Sequence, residues 1–171
     1  MAKFHPELDL LTEYAAGSLS LAQAACVAAH MNYCEQCRRT AGQLEDLGAT
    51  LFDSLQPEAV GDVQLNAVLA RLDDLPPLSY TKVEQPLAGQ TPALLQRLMR
   101  GDFADLAWKK ITKTLSISYL RTGDPGYEFA LYHIKAGGKI PEHTHRGSEM
   151  TLVLEGGFSD AAGTYHQGDF L

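Results

Sequence analysis

The sequence has no apolar run of the roughly 20 residues that a membrane-spanning helix needs. Its first residues, Met-Ala-Lys-Phe-His-Pro-Glu, lack the apolar core of a signal peptide. Only three cysteines are present, too few for a disulfide framework. These absences predict a cytoplasmic protein that does not contact a membrane. The apolar fraction of 45% excludes a disordered chain and is typical of packed domains.

Basic residues are scarce in the first half of the chain. Residues 1–75 hold eleven Asp and Glu against four Lys and Arg, a net charge of −7, whereas residues 76–171 hold ten of each. An acidic surface repels nucleic acid but attracts basic proteins. The asymmetry therefore argues against direct binding of nucleic acid. It fits either a basic protein partner or a surface selected for solubility alone.

The first 75 residues carry the pattern of four helices. Glycine, serine and proline punctuate the pattern, which predicts helices over 7–16, 21–29 and 34–54 and a fourth after Pro57. Ser18 or Ser20 is expected to cap the second helix. The fourth helix has apolar residues close to helical spacing, namely Val63, Leu65, Val68, Leu69 and Leu72.

The pattern changes after Pro76 and Pro77, which end the helical part. Residues 76–90 are predicted to be a linker. A short helix is expected over 92–100, and strands over 115–120, 127–134 and 150–154, separated by glycine-containing turns. The predicted fold class is α+β with two domains, a helical one over 1–75 and a β domain over 91–171.

A first candidate site lies in the helical part, where His30, Cys34 and Cys37 form an H-x3-C-x2-C pattern. Two thiolates at a helix start and a histidine one turn earlier can bind one ion, and zinc takes four such ligands in a tetrahedron. His5 is the only other histidine of this half and is predicted as the fourth ligand. Asp9 and Glu35 are alternatives. A closed shell of two cysteines and two histidines would make the zinc structural.

Two other interpretations of these cysteines remain open. A C-x2-C pair can be a redox centre, although that motif usually follows a strand in a βαβ unit, which this half lacks. The cysteines can also be ordinary core residues. Cys26 lies within a predicted helix without a suitable spacing to the others and is predicted to be a buried small residue.

A second candidate site lies in the β domain, where residues 137–156 read G-x5-H-x-H-x3-E-x6-G. His143 and His145 are two apart on a predicted strand and share a face. Glu149 follows at the start of the next strand. Two imidazoles and a carboxylate suit zinc or another divalent transition metal, so the ligands alone do not select the ion. The alternative is a pair of exposed histidines in a loop.

This second pattern resembles the first motif of the cupins, which implies a cupin-like antiparallel β-barrel. Cupins usually supply a fourth ligand from a second motif. Residues 163–169 look like the start of that motif, but its Pro-x3-His segment is absent, as are the strands that would close the barrel. We therefore expect an incomplete barrel. His133 and His166 are possible substitutes for the missing ligand, although neither occupies its place in the motif.

Together, the two sites resemble the zinc-binding anti-sigma factors, and in particular the ChrR type, in which a zinc-bound four-helix domain precedes a cupin. The resemblance implies that residues 1–75 bind a group IV extracytoplasmic-function (ECF) sigma factor and block its association with core RNA polymerase. It also implies that the cupin domain serves the response to oxidants such as singlet oxygen, and that the chain is not an enzyme. The alternatives are a cupin dioxygenase or isomerase with a zinc module, and a metal-storage protein.

Overall fold

The computed structural model describes residues 2–59, 61–72, 91–140 and 147–171. Helices come first and strands second, so the fold is α+β, as predicted. The predicted linker lies outside the described residues, and the domain boundaries therefore stay a prediction. The helices are α1 (Leu8–Ala15), α2 (Leu21–Met31), α3 (Glu35–Asp53), α4 (Asp62–Leu72) and α5 (Ala93–Met99), followed by a short 3-10 helix (Phe103–Asp105) and by strands β1 (Lys109–Lys110), β2 (Leu115–Leu120), β3 (Phe129–Ile134), β4 (Gly157–Ser159) and β5 (Thr164–His166).

The start of α2 is fixed by a capping box. The Ser20 hydroxyl accepts a hydrogen bond from the backbone N–H of Gln23 at 3.3 Å, and the Gln23 side chain accepts one from the backbone N–H of Ser20 at 3.2 Å. This arrangement satisfies two N–H groups that a helix start otherwise leaves unpaired. Of the two serines predicted as caps, Ser20 is the N-cap of α2.

Three helices and the C-terminal residues share one apolar core. Leu11 of α1, Val27 of α2 and the two cysteines Cys34 and Cys37 are buried together with Phe170. Helix α2 also contacts α5, and its small buried residues Ala22, Ala25 and Ala29 permit close approach of a neighbouring helix. Among the described residues, no helix is both long and apolar enough to cross a membrane.

Helix α4 forms where the sequence predicts it, but it does not contribute to the core. None of its residues is buried, and its apolar side chains face solvent, among them Val63, Leu65, Val68, Leu69 and Leu72. The packed unit is thus built on α1, α2 and α3 rather than on four helices. The apolar spacing correctly identified the helix, but the spacing contains no information on what covers the apolar face.

The strands form two antiparallel sheets in the part of the chain that the structure describes. One has the order β1-β2-β3, with Ile117 opposite Tyr132, and the other is the hairpin β4-β5. The regular strand predicted over 150–154 is wrong, because this segment forms one isolated bridge, Leu152 to Phe170. Backbone hydrogen bonds lie on both sides of this bridge: Thr151 and Leu171 bond each other in both directions, and Val153 bonds to Asp169 and Gly168. The pairing therefore covers residues 151–153 only, next to the turn at Gly168 (φ +92°).

Candidate metal centre

The four predicted ligands of the first site come from three adjacent segments. His5 lies in the extended stretch before α1, and His30 lies in the last turn of α2. Cys34 is the N-cap of α3, and Cys37 stands in the first turn of that helix. A tight connection joins α2 to α3, because the carbonyl of His30 accepts the backbone N–H of Cys34 at 3.1 Å. The turn therefore keeps the ligands of both helices on one side.

The donor atoms of these four side chains lie within 4.8 Å of one another, and they are the one such group of three or more among the described residues. His5 Nδ1 is 3.3 Å from Cys34 Sγ and 3.6 Å from Cys37 Sγ, and His30 Nε2 is 3.4 Å from Cys37 Sγ. A tetrahedral zinc ion places its nitrogen and sulfur ligands roughly 3.5 Å apart, given the usual bond lengths. The observed donor set therefore fits a tetrahedral metal ion.

The alternatives for the fourth ligand have other partners. The Asp9 carboxylate accepts the N–H of Leu10 at 2.7 Å, at the exposed start of α1. The Glu35 carboxylate pairs with Arg39 at 2.6 Å, one turn along α3. Neither belongs to the group that His5 joins.

The surroundings of Cys37 and His30 disfavour charge on these two side chains unless a cation is present. Burial, together with the hydrogen bond and the charge of Cys34, raises the pKa of the Cys37 thiol to about 12. Burial lowers the pKa of His30, which favours the neutral imidazole that binds metals. Two thiolates in such a site need a positive ion between them. The pair of thiols is therefore suited to hold a metal ion.

Cys26 does not belong to this group. It is buried within α2, and burial raises the pKa of its thiol to about 12. A thiol with so high a pKa is unreactive and serves as a small apolar side chain. The prediction that Cys26 is a buried small residue is confirmed.

Three residues near the site were not predicted from the sequence: Gly168, Asp169 and Phe170. The carbonyl of Gly168 accepts a hydrogen bond from Nδ1 of His30 at 2.7 Å, and the ring of Phe170 meets the His30 imidazole edge-on at 5.7 Å. A backbone carbonyl leaves no mark in the residue type. Only the Gly-Asp pair, which is typical of a tight turn, signals that the chain bends here.

The second predicted site is only partly described. His143 and His145 lie outside the described residues. Glu149 is exposed. The pKa of Tyr132 is raised mainly by burial and to a lesser degree by nearby charges, among them that of Glu149. The two possible substitutes, His133 on β3 and His166 at the end of β5, are exposed and are in no metal-binding group of the described chain. A metal in the β domain therefore stays a prediction.

Comparison with known proteins covers both halves of the chain. Residues 96–171 match the family described as the ChrR cupin-like domain. The anti-sigma-E factor ChrR of Cereibacter sphaeroides is 33% identical over 172 aligned residues, which span 98% of this chain and 77% of that protein. The crystal structure of Rhodobacter sphaeroides SigE in complex with the anti-sigma ChrR has a chain that is 31% identical, with a TM-score of 0.83 over 100% of this chain and 86% of that one. The chain therefore belongs to the family of the ChrR-type anti-sigma factors.

Proposed function

We propose that this chain is an anti-sigma factor, which binds an ECF sigma factor and prevents its association with core RNA polymerase. The observation that carries the proposal is the likeness, along the whole chain, to ChrR in its complex with SigE. This role is regulatory and not enzymatic. The chain is proposed to act in the cytoplasm, where sigma factors meet the polymerase.

An exposed apolar stripe on α3 supports a protein partner. Leu44 is half-buried against the helical core, and Leu47 and Leu51 continue the same stripe at helical spacing. From residue 45 onward every residue of α3 is exposed. The second half of the helix thus presents apolar side chains that nothing in the described chain covers, and such surfaces usually mark interaction sites.

Helix α4 presents a second apolar face. Leu65, Val68, Leu69 and Leu72 follow an i, i+3, i+4, i+7 pattern, so they lie on one side of the helix. All four are about half exposed. Val63, which is 82% exposed, lies on the opposite side because successive residues are about 100° apart around the helix. A partner that covered the four would bury a continuous apolar strip.

The charge of this half fits the same partner. Residues 1–75 carry a net charge of −7. A sigma factor must bind DNA and is therefore expected to present basic surfaces. Complementary charge would accelerate the encounter, while the apolar faces of α3 and α4 would supply most of the affinity.

The metal sites have separate proposed roles. Zinc bound by His5, His30, Cys34 and Cys37 would have no open position and would serve structure. It would join the N-terminal segment to the junction of α2 and α3. A second divalent metal at His143, His145 and Glu149 is proposed for the cupin-like domain, whose role is the response to oxidants such as singlet oxygen. The motif and the family match of residues 96–171 support that assignment.

Co-purification with the sigma factor encoded nearest to this chain's gene tests the proposal. The wild-type chain should retain the sigma factor and suppress transcription from its promoter by core polymerase in vitro. Leu69→Arg should weaken both effects at least tenfold, because it places a charge in the apolar face of α4. Val63→Arg, on the opposite side of that helix, is the matched control and should behave as wild type. Loss of binding in both variants, or in neither, would contradict the proposal that this face of α4 binds the sigma factor.

A further inference from the structure

A turn in the β half of the chain contacts a predicted zinc ligand directly. The His30 imidazole is fully buried, and its Nδ1 lies 2.7 Å from the carbonyl oxygen of Gly168, 138 residues further along the chain. A carbonyl can only accept a hydrogen bond, so Nδ1 must carry the proton. This leaves Nε2, which faces Cys37 Sγ at 3.4 Å, as the nitrogen with a free lone pair. The tautomer that exposes Nε2 to a metal is thus selected by Gly168.

The same turn also orients His5. Asp169, which is 1% exposed, accepts hydrogen bonds from the backbone N–H groups of Lys3 at 2.5 Å and Phe4 at 3.1 Å. Its second carboxylate oxygen accepts the N–H of His166 at 2.8 Å, which closes the turn on itself. The carbonyl of Phe4 in return accepts the N–H of Phe170 at 3.1 Å. The segment that ends in His5 is therefore bonded on both sides to the β half.

Phe170 covers the site. Its ring is buried in one cluster with Cys34, Cys37 and Leu11 and packs edge-on against His30. An apolar ring at this place limits the access of water, and of a competing chelator, to the thiolates. Outer contacts of this kind fix the orientation of metal ligands and control solvent access.

We infer that the turn His166–Phe170 of the cupin-like domain is the outer shell of the zinc site, so that both halves of the chain retain the metal. The inference rests on the proposed zinc site and not on sigma binding. Zinc binding and the position of the turn are then coupled in both directions. A change that displaces the turn weakens zinc binding, and removal of the zinc loosens the turn.

Gly168→Ala tests the inference in the full-length, zinc-loaded protein. A Cβ at this position would lie 2.7 Å from Cβ of Tyr33 in a backbone with φ +92°, so the turn must shift away from His30. Gly123→Ala is the matched control, because Gly123 also has a positive φ of +80° but its Cβ would meet nothing within 4 Å. Zinc transfer to an excess of a chromophoric chelator measures retention, and the ¹⁵N-attached Nδ1 proton of His30 reports the hydrogen bond directly.

We expect Gly168→Ala to weaken zinc binding by about 10- to 100-fold, as is usual for lost outer-shell partners, and to expose the Nδ1 proton to rapid exchange. Gly123→Ala should retain wild-type zinc binding and a protected proton. Wild-type zinc retention in Gly168→Ala despite loss of the Nδ1 signal would overturn the inference. Failure of the wild-type chain to bind zinc would instead contradict the proposed site.

Two further measurements cover the case in which Gly168→Ala does not fold. Asp169→Asn preserves the size of the side chain but replaces one accepting oxygen by a donor, and it should raise the rate of zinc release in the same assay. In the wild-type chain, zinc removal should increase hydrogen exchange at the amides of Asp169 and Phe170 and leave β2 unchanged. Unchanged zinc release in Asp169→Asn, together with equal exchange in the zinc-loaded and zinc-free chains, would overturn the inference.

Discussion

The backbone N–H of Cys37 donates a hydrogen bond to Sγ of Cys34 at 3.4 Å, so the Cys34 side chain caps the first turn of α3. Cys34 thereby has two functions at once, since it begins the helix and is a predicted metal ligand. The structure of α3 and the binding of metal are for this reason expected to depend on each other.

Cys37→Ser should abolish one equivalent of zinc per chain and strongly destabilise the helical part, because the binding energy of a structural zinc contributes directly to folding. Elemental analysis and thermal unfolding by circular dichroism measure the two effects. Cys26→Ala is the control, since Cys26 is equally buried but outside the group, and its zinc content should be unchanged. Equal zinc in Cys37→Ser and wild type would refute the assignment.

Ser20→Ala removes the capping box of α2, the helix that ends in His30. We expect a loss of about 1 kcal/mol in the free energy of unfolding, measured by urea denaturation of the zinc-loaded protein. Ser18→Ala is the control, because that exposed hydroxyl only donates to the carbonyl of Glu13, and the change should cost less than about 0.5 kcal/mol. Equal losses in the two variants would show that the cap is not formed.

The carboxyl of Asp169 predicts a dependence of stability on pH. Burial raises its pKa, but hydrogen bonds from the N–H groups of His166, Lys3 and Phe4 outweigh burial and hold the pKa below the ordinary 3.8. A depressed pKa stabilises the folded state fully above the unfolded pKa and less as pH falls through the folded pKa.

The stability difference between wild type and Asp169→Asn should therefore be constant at neutral pH and shrink below pH 3.8. Denaturation of both proteins across this range measures it. A carboxyl titration by ¹³C NMR with a midpoint above 3.8 would contradict the prediction.

His143→Ala should remove the metal of the cupin-like domain and leave the zinc of the helical part in place. The two sites share no ligand, so their losses should be additive when His143→Ala is combined with Cys37→Ser. Tyr119→Ala is the control, because that exposed residue of β2 belongs to neither predicted site and should leave the metal content unchanged. A wild-type chain with a single metal would argue against the second site.

The grouping of the predicted ligands in the helical part was predictable because most of their spacing is local. His30, Cys34 and Cys37 lie within eight residues, so helix geometry alone brings them together. His5 could be chosen because this half offers no other histidine. The helix positions were predictable because apolar spacing and the N-cap Ser20 are also local signals in the sequence.

The rest depends on contacts between residues that are far apart in the sequence. The hydrogen bond from His30 to Gly168 uses a backbone carbonyl, which every residue has, so the sequence cannot predict it from residue type. Residues 150–154 have the apolar character of a strand, yet only residues 151–153 pair, with the short segment that follows the turn at Gly168. For α4, the apolar spacing identified the helix correctly, but Val63 lies on the opposite side from the other four apolar residues. Burial of their face depends on a neighbour that the described chain does not supply.

The bonds from Asp169 to Lys3 and Phe4 also have a consequence for biosynthesis. They join residues 166 and 165 positions apart, and contacts at such separations form late in folding. The ribosome completes α1 to α4 and all four predicted metal ligands long before it reaches Asp169. A nascent chain thus presents its apolar helix faces while its metal site is still unsealed. The time between synthesis of the helical part and synthesis of Asp169 is set by the rate of translation.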